Sequence, residues 1–432
     1  MVEVKKIKLT ALERSWILYD IGNSAFILLV STLIPIYFND LATTGGLNES
    51  LYLSYWGYAG SVSTLLVAVI GPICGTLADH RGFKKPIFMA CMLLGVLGCA
   101  AMGVTAGWLA FLVVFVLAKV GYSSSLVFYD AMLPEVTTDE RMDTVSSMGY
   151  AYGYIGSVIP FILCLLLVQF GDKIGVGAGT AMVVSFLITA VWWFVCTQPL
   201  LKRYRQTAFV EHGGNPVSSA FRRLRDTFRE VRQQKHIFLY LLAFFFFIDG
   251  VYTIIDMATA YGTALGLDTT GLLLALLLTQ FVAFPCSIAF GRFSAKYDTG
   301  LLIKICILCY TGITLFAVFL VSQWQFWVLA VLVGMFQGGI QALSRSYLGK
   351  IIPAERSGEY FGLMDICGKG ASFLGTTLIA MVSQLTDGRS FHVFGLELQN
   401  ENIAVGTLVV IFAIGFVLFC KADRLNKQYI HI

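Results

Sequence analysis

Gly75-Thr-Leu-Ala-Asp79-His-Arg81-Gly82-Phe-Lys84-Lys85-Pro86 stands between two long apolar runs, 54–78 and 86–106. A bilayer core needs about twenty apolar residues as helix, and each flanking run is long enough. The stretch therefore reads as a polar turn joining two membrane-crossing helices. Gly75 permits close helix approach, and Gly82 supplies the tight turn. Asp79 can meet the positive N-terminal end of a neighbouring helix. Arg81, Lys84 and Lys85 are expected to hold the turn at anionic headgroups on the cytoplasmic side.

Outward from this turn the whole chain has the same character. Of 432 residues, 57% are hydrophobic and only 13% charged, with a mean hydropathy of +0.77. Soluble domains carry about a quarter charged residues, so the solvent for most of this chain is lipid. The same composition excludes disorder and collagen-like repeats. The ten cysteines lie in or beside apolar runs without a CxxC pair or a histidine cluster, and are expected as buried free thiols. The polar, basic start MVEVKKIKLTALER gives no expectation of a cleavable signal peptide.

Twelve spans are readable. Six fall at roughly 16–39, 54–78, 86–106, 108–132, 145–170 and 176–197. Six more follow a polar gap, at roughly 237–262, 269–291, 301–322, 324–348, 357–385 and 402–421. Continuous runs of this length exclude a membrane β-barrel, whose strands alternate over about ten residues. With the N-terminus inside, 24 of the 30 Lys and Arg residues fall in cytoplasmic pieces. The outer loops hold only Lys173 and Arg389, while Lys119, Lys304, Arg345 and Lys369 lie within spans or at their ends. Both termini are expected in the cytoplasm. The expected organisation is an all-α membrane protein with an N-terminal bundle, 1–197, a linker, 198–236, and a C-terminal bundle, 237–432.

Within the linker, Phe221, Leu224, Phe228 and Val231 share one helical face, flanked by Arg222, Arg225, Arg229 and Arg232. The 211–235 stretch reads as an amphipathic helix on the membrane surface or as a solvated connector. Anionic lipid headgroups account for its basic face, so no nucleic-acid role is expected.

The two sets of six spans repeat. FYDAMLPEVTTDERMDTVSSMGYAYGYIGS follows the fourth span, and SYLGKIIPAERSGEYFGLMDICGKGASFLG follows the tenth. Each holds a Pro (Pro134, Pro353), an acid–Arg pair (Glu140–Arg141, Glu355–Arg356) and a glycine-rich helix, the acid–Arg pairs and the glycines Gly153 and Gly368 standing at an offset of 215 residues. Duplicated halves with a site between them are typical of secondary transporters. The opening stretch resembles the signature loop of the major facilitator superfamily, G-x-L-A-D-x-x-G-x-K/R-K/R. Its counterpart Gly291-Arg-Phe-Ser-Ala-Lys-Tyr-Asp298 has Ala295 where Asp79 would align. Trp16-Ile-Leu-Tyr19-Asp20-Ile-Gly-Asn23-Ser24-Ala25-Phe26, with the two repeat segments, is similar over nearly the whole chain to the Atg22/UMF1-like (vacuole effluxer-like) branch. There Ile21-Gly22 replaces the usual middle pair. The resemblance implies a major facilitator fold and favours amino acids as solutes. It also implies that the Gly75–Lys85 loop latches the cytoplasmic side, with Asp130 as a partner for Arg81, and that Arg141, Arg345 and Arg356 belong to the same cytoplasmic gate.

Ionisable groups inside spans are costly and so face a cavity or a partner. Here they are Asp20, Lys119, Asp249, Asp256, Arg345, Asp365 and Lys369. Asp20 with Asn23 reads as a solute contact or as a gate and packing group. Lys119, beside Tyr122, needs a partner on another helix or a substrate anion. Asp249 and Asp256, seven apart on one helix, are candidates for proton coupling or for pairing with Lys119 or Lys369. Asp365 and Lys369, at i and i+4, can neutralise each other. Gln280, Gln337 and Gln341 can hydrogen-bond a solute.

The five histidines lie in loops or tails, and no GxSxG, P-loop or HExxH occurs, so neither an enzyme nor a cofactor or metal site is expected. The expected function is secondary transport of a small polar or zwitterionic solute, with protons as a candidate coupling ion. A drug or metabolite exporter, or a non-transporting receptor or scaffold of the same fold, are the alternatives. The expected setting is a monomer among lipids, in the plasma (inner) membrane of a bacterium or a vacuolar-type membrane of a eukaryote.

Overall fold

The computed structural model describes residues 8–47, 49–211, 229, 232–386, 391–393, 396–398 and 400–430. Linker positions Phe221, Leu224, Phe228 and Val231 lie outside the described residues, as does the side chain of Lys369. The described chain is nearly all helical. The first half holds α1 (Ala11–Ser31), α2 (Leu33–Thr44), α3 (Glu49–Ala78), α4 (Lys84–Ala101), α5 (Trp108–Ala131), α6 (Leu133–Val136), α7 (Asp139–Phe170) and α8 (Ala178–Arg203). The second holds α9 (Lys235–Ala264), α10 (Thr269–Phe293), α11 (Thr299–Val318), α12 (Gln323–Ile351), α13 (Ser357–Leu385), α14 (Asn400–Gly406) and α15 (Leu408–Ile430). A short antiparallel hairpin, β1 (Phe391–Val393) with β2 (Leu396–Leu398), was not readable from the sequence.

Ten of the described helices are long and apolar enough to cross a membrane, and the pair α1–α2 makes an eleventh. α13 coincides with the remaining expected span; it has 29 residues, of which Leu374–Leu385 form a shorter apolar stretch. The first span is not one straight helix as expected, because α1 and α2 meet at 41°. Pro35 accounts for the break: it has no N–H, and its ring would strike the carbonyl of Ser31 four residues back. At the bend the Thr32 hydroxyl donates to Leu28 O at 2.6 Å.

Side chains start the helices where the sequence has suitable acceptors. Thr10 and Glu13 cap α1 reciprocally, while Asp268 and Asp298 accept the N–H groups of Gly271 and Leu301 at the starts of α10 and α11. Gly82 turns the chain between α3 and α4 at φ 80°, a conformation strained for other residues.

Two clusters of buried side chains follow the two halves. One gathers Trp16, Tyr19, Phe26, Phe88 and Trp193, and the other Tyr240, Phe247, Tyr310, Phe412 and Phe419. All ten cysteines are free thiols. Contacts of Lys8 with Arg141, Asp79 with Gly358, and Lys427 with Asp298 gather the chain ends and basic loops at one end of the molecule. That end is termed the basic end below.

Candidate transport cavity and its closed end

A cavity of about 1340 Å³ lies between the halves. Away from the basic end it reaches Asp40, Ala178 and Thr263; toward the basic end it stops at Asp20, Asp130 and Arg345. Eight of the expected solute or coupling residues line it: Asp20, Asn23, Tyr122, Asp256, Gln280, Gln337, Gln341 and Asp365. Asp249 and Lys119 are not among the described lining residues. Asp249 is buried between α9 and α13, where it accepts the N–H of Gly375 at 3.0 Å. Although Asp249 and Asp256 share a helix side, about 10 Å along the axis separates them, which is enough to put one in the packing and the other in the cavity. Lys119 extends its ammonium toward the Phe115 ring, 5.9 Å from the centroid, and acts electrostatically on Asp256.

Arg345 forms the floor. From α12 it reaches across to the first half, with Nη1 donating to Asp130 at 2.9 Å, Nη2 lying 3.7 Å from Asp20, and Nε donating to the Ser146 hydroxyl at 2.9 Å. The rings of Trp16, Tyr129 and Tyr150 surround the guanidinium at 4.6, 5.4 and 4.4 Å. Gly149 leaves room for this group: a Cβ there would stand 2.8 Å from Asp20 Oδ2 and 3.1 Å from Arg345 Nη2. The partner expected for Asp130 is thereby corrected. Arg81 is exposed beside Glu211 and over Phe209, while Asp130 belongs to Arg345, because Arg345 is the cation buried at the same depth.

Below the floor the halves are fastened twice. Asp79 accepts the N–H groups of Gly358 and Glu359, at 2.8 and 3.0 Å, and so caps the start of α13 as its sequence position suggested. Gly75 and Gly358 approach so closely that neither tolerates a Cβ without displacement. Lys84 does not reach the headgroups. Its side chain is fully buried, donating to Glu135 at 2.7 Å and to Ser357 at 2.8 Å, because this acid and hydroxyl stand ready within the protein. Burial pushes the Asp79 carboxyl up to about 7, against the opposing pull of Lys84 and the two N–H groups.

The second fastening was not foreseen. Asp143 of α7 accepts from Thr299 and Lys350, each at 2.6 Å, and from Ser346, while Thr144 donates to Gly291 O at 2.9 Å. Asp143 aligns with Gly358 at the repeat offset of 215, so the acid missing at Ala295 is replaced from the opposite partner. That offset was the available signal. Two expected gate residues act elsewhere: Arg141 binds Glu13 at 2.7 Å within the first half, and Arg356 binds Glu359 three residues on, at 3.1 Å.

A largely apolar cavity between two helical halves, carrying five aspartates and one arginine among its described lining and closed at one end by contacts between the halves, is the arrangement expected of a transporter of the major facilitator type. The fold agrees with solved structures. The human organic anion transporter MFSD10 matches at TM-score 0.66 and 14% identity, covering 95% of this chain and 98% of that one. The E. coli fucose:proton symporter FucP matches at 0.69 and 14%, covering 95% and 97%.

The chain belongs to the vacuole effluxer Atg22-like family, whose model matches residues 48–423. An uncharacterized MFS-type transporter of Bacillus subtilis, YxiO, is 39% identical over 416 residues, 95% of this chain and 94% of that protein. Autophagy-related protein 22-1 of Penicillium rubens is 27% identical over 271 residues, 56% of this chain, and the match spans 45% of the fungal protein. The protein is a multi-pass membrane transporter and not an enzyme.

Proposed function

We propose that this protein moves a small polar or zwitterionic solute, an amino acid being the favoured class, by alternating access. The observation that carries this reading is a cavity with ionisable groups set in an otherwise apolar lining, sealed at one end by contacts between two repeated halves. The halves are the bundles 1–197 and 237–432, joined by the linker 198–236, with α13 counted as the twelfth span. If the basic end faces the cytoplasm, as the distribution of Lys and Arg supports, the state described here is open to the outside.

The lining supports a solute that carries an ammonium group. Asp20, Asp40, Asp130, Asp256 and Asp365 face Arg345 as the one guanidinium among the described lining residues. Arg345 is engaged by Asp130, Asp20 and Ser146 in this state, so the lining offers a solute acidic groups, and the preference for a zwitterion rests on the family. Asp256 is the preferred proton-coupling residue, since it meets the cavity and Asp249 does not. The protein works as a monomer in a plasma or vacuolar-type membrane.

The test is flux in reconstituted liposomes offered labelled amino acids, with and without a pH gradient. Saturable, protein-dependent flux of at least one amino acid, increased by the gradient, is expected. No flux across the full panel removes the amino-acid assignment, and flux indifferent to the gradient removes proton coupling.

A further inference from the structure

The linker does not leave the molecule directly after α8. Tyr204–Glu211 turns back along the basic end and lies against the α3–α4 turn. Gln206 sits at the centre of this contact. Its Oε1 accepts the N–H groups of Gly82 and Lys84 at 2.9 and 3.4 Å, and its Nε2 donates to Ala78 O at 3.0 Å. Val210 N–H donates to Asp79 O at 2.8 Å, beside a parallel bridge between His80 and Val210. Glu135 fastens the same segment from the other side. It accepts the N–H groups of Thr207 and Ala208 at 2.6 and 3.1 Å and the Tyr204 hydroxyl at 2.8 Å, while also holding Lys84.

These bonds join the linker to the first half, yet the groups they fix are those that cross to the second. The Asp79 carboxylate reaches Gly358 and Glu359, and the Lys84 ammonium reaches Ser357. A free turn would have to lose its conformational entropy each time the two halves met. A turn whose main chain is already bonded from outside has lost it beforehand, which is preorganisation.

We infer that Tyr204–Glu211 is a strap that positions the latch turn, with Gln206 and Glu135 as its positioning residues. The basic end closes fully only with the strap docked. Because the strap leads into the connection between the halves, displacement of that connection acts on the latch. The inference rests on the alternating-access reading and is independent of the solute.

The experiment measures distances between spin labels at the exposed Glu140 and Lys296, on opposite halves, in nanodiscs and on a background without reactive cysteines. Gln206→Ala is expected to raise the population with an open basic end three- to tenfold. Ala208→Pro, which deletes one N–H donor to Glu135, is expected to do the same, and Gln206→Glu, which keeps the acceptor, to restore part of the closure. Gly75→Val serves as a direct opener of the latch. An unchanged distribution in both Gln206→Ala and Ala208→Pro, while Gly75→Val opens the end, overturns the strap. If Gly75→Val also leaves the distances unchanged, alternating access itself fails and the strap falls with it.

Discussion

Arg345 of α12 and Asp130 of α5 meet at 2.9 Å and stand 215 residues apart in the chain. That separation equals the offset between the repeats, so the two occupy equivalent positions in the two halves. In a two-fold arrangement, a residue touches its own equivalent only near the axis. The pair therefore marks the pseudo-two-fold axis at the closed end of the cavity. The duplicated positions have diverged to opposite charges, which turns a place of like-charge repulsion into a lock. Gly75 against Gly358 on one side, and Gly291 against Thr144, one residue past the Asp143 that aligns with Gly358, on the other, flank this axis.

Removing either member of this pair should open the basic end. Arg345 is buried, but the Asp130 side chain is 28% exposed to the cavity and Asp20 stays nearby, so the loss falls below the roughly 3–5 kcal/mol of a fully buried pair. Asp130→Asn leaves Arg345 with Asp20 alone, at 3.7 Å. Arg345→Lys keeps the charge but loses the fork and the stacking on Trp16 and Tyr150. Both variants should lose roughly tenfold or more in transport rate with normal membrane insertion. Wild-type rates in either would show that the pair is ornamental.

Gly149→Ala should damage transport by crowding the same pair. The added methyl would stand 2.8 Å from Asp20 Oδ2 and 3.0 Å from the Trp16 ring. Overpacking of this kind costs about 1–3 kcal/mol, roughly a tenfold change in any step that reforms the floor. Gly57→Ala is the control, because nothing lies within 4 Å of its Cβ position. Initial rates and melting temperatures of the two variants, measured side by side, decide the matter; equal behaviour would refute the crowding argument.

Closure of the basic end should strengthen as pH falls below 7. In the closed state burial raises the Asp79 carboxyl to about 7, from an ordinary value of 3.8. Once the latch opens, the carboxyl meets water and returns toward that ordinary value. Between the two values the closed state holds a proton that the open state does not, so acid favours closure. Above about 7 both states are deprotonated and the effect vanishes; the slope is at most about tenfold per pH unit. Spin-label distances across the basic end, measured from pH 8 to 5.5, should shift toward the closed population. In Asp79→Asn that shift should disappear, and its persistence would assign the dependence to another group.

How much of this was legible depended on whether a contact followed chain periodicity or chain geometry. The spans, the latch turn and the Asp79 cap were readable, since apolar run length, the signature loop and helix polarity all act locally. The break before Pro35 was available in principle, but a continuous apolar run concealed it. Glu135 and Asp143 belong to no motif of their own in the sequence, and only the folded chain brings Lys84 and Lys350 to them. Arg81, Arg141 and Arg356 meet Glu211, Glu13 and Glu359, partners the sequence did not indicate, because charge at a boundary says where a residue sits relative to lipid, not which helix it faces.

Asp256 and Asp249 provide the sharpest separation of site from scaffold, because the sequence offers them as equals. Asp256 lines the cavity, whereas Asp249 receives a backbone N–H from Gly375 in the packing of α9 against α13. Asparagine keeps an acceptor oxygen for that N–H, so Asp249→Asn should preserve KM and the pH dependence of transport, with at most a few degrees lost in Tm. Asp256→Asn removes a charge that a solute ammonium or a coupled proton would meet. Its KM should rise about tenfold, as expected for a charge-assisted contact worth about 1.5–3 kcal/mol, and the response to a pH gradient should flatten. Flux assays of both variants under the same gradient check this. The reverse outcome, an altered pH response in Asp249→Asn with Asp256→Asn unaffected, would move the coupling site out of the cavity and into the α9–α13 contact.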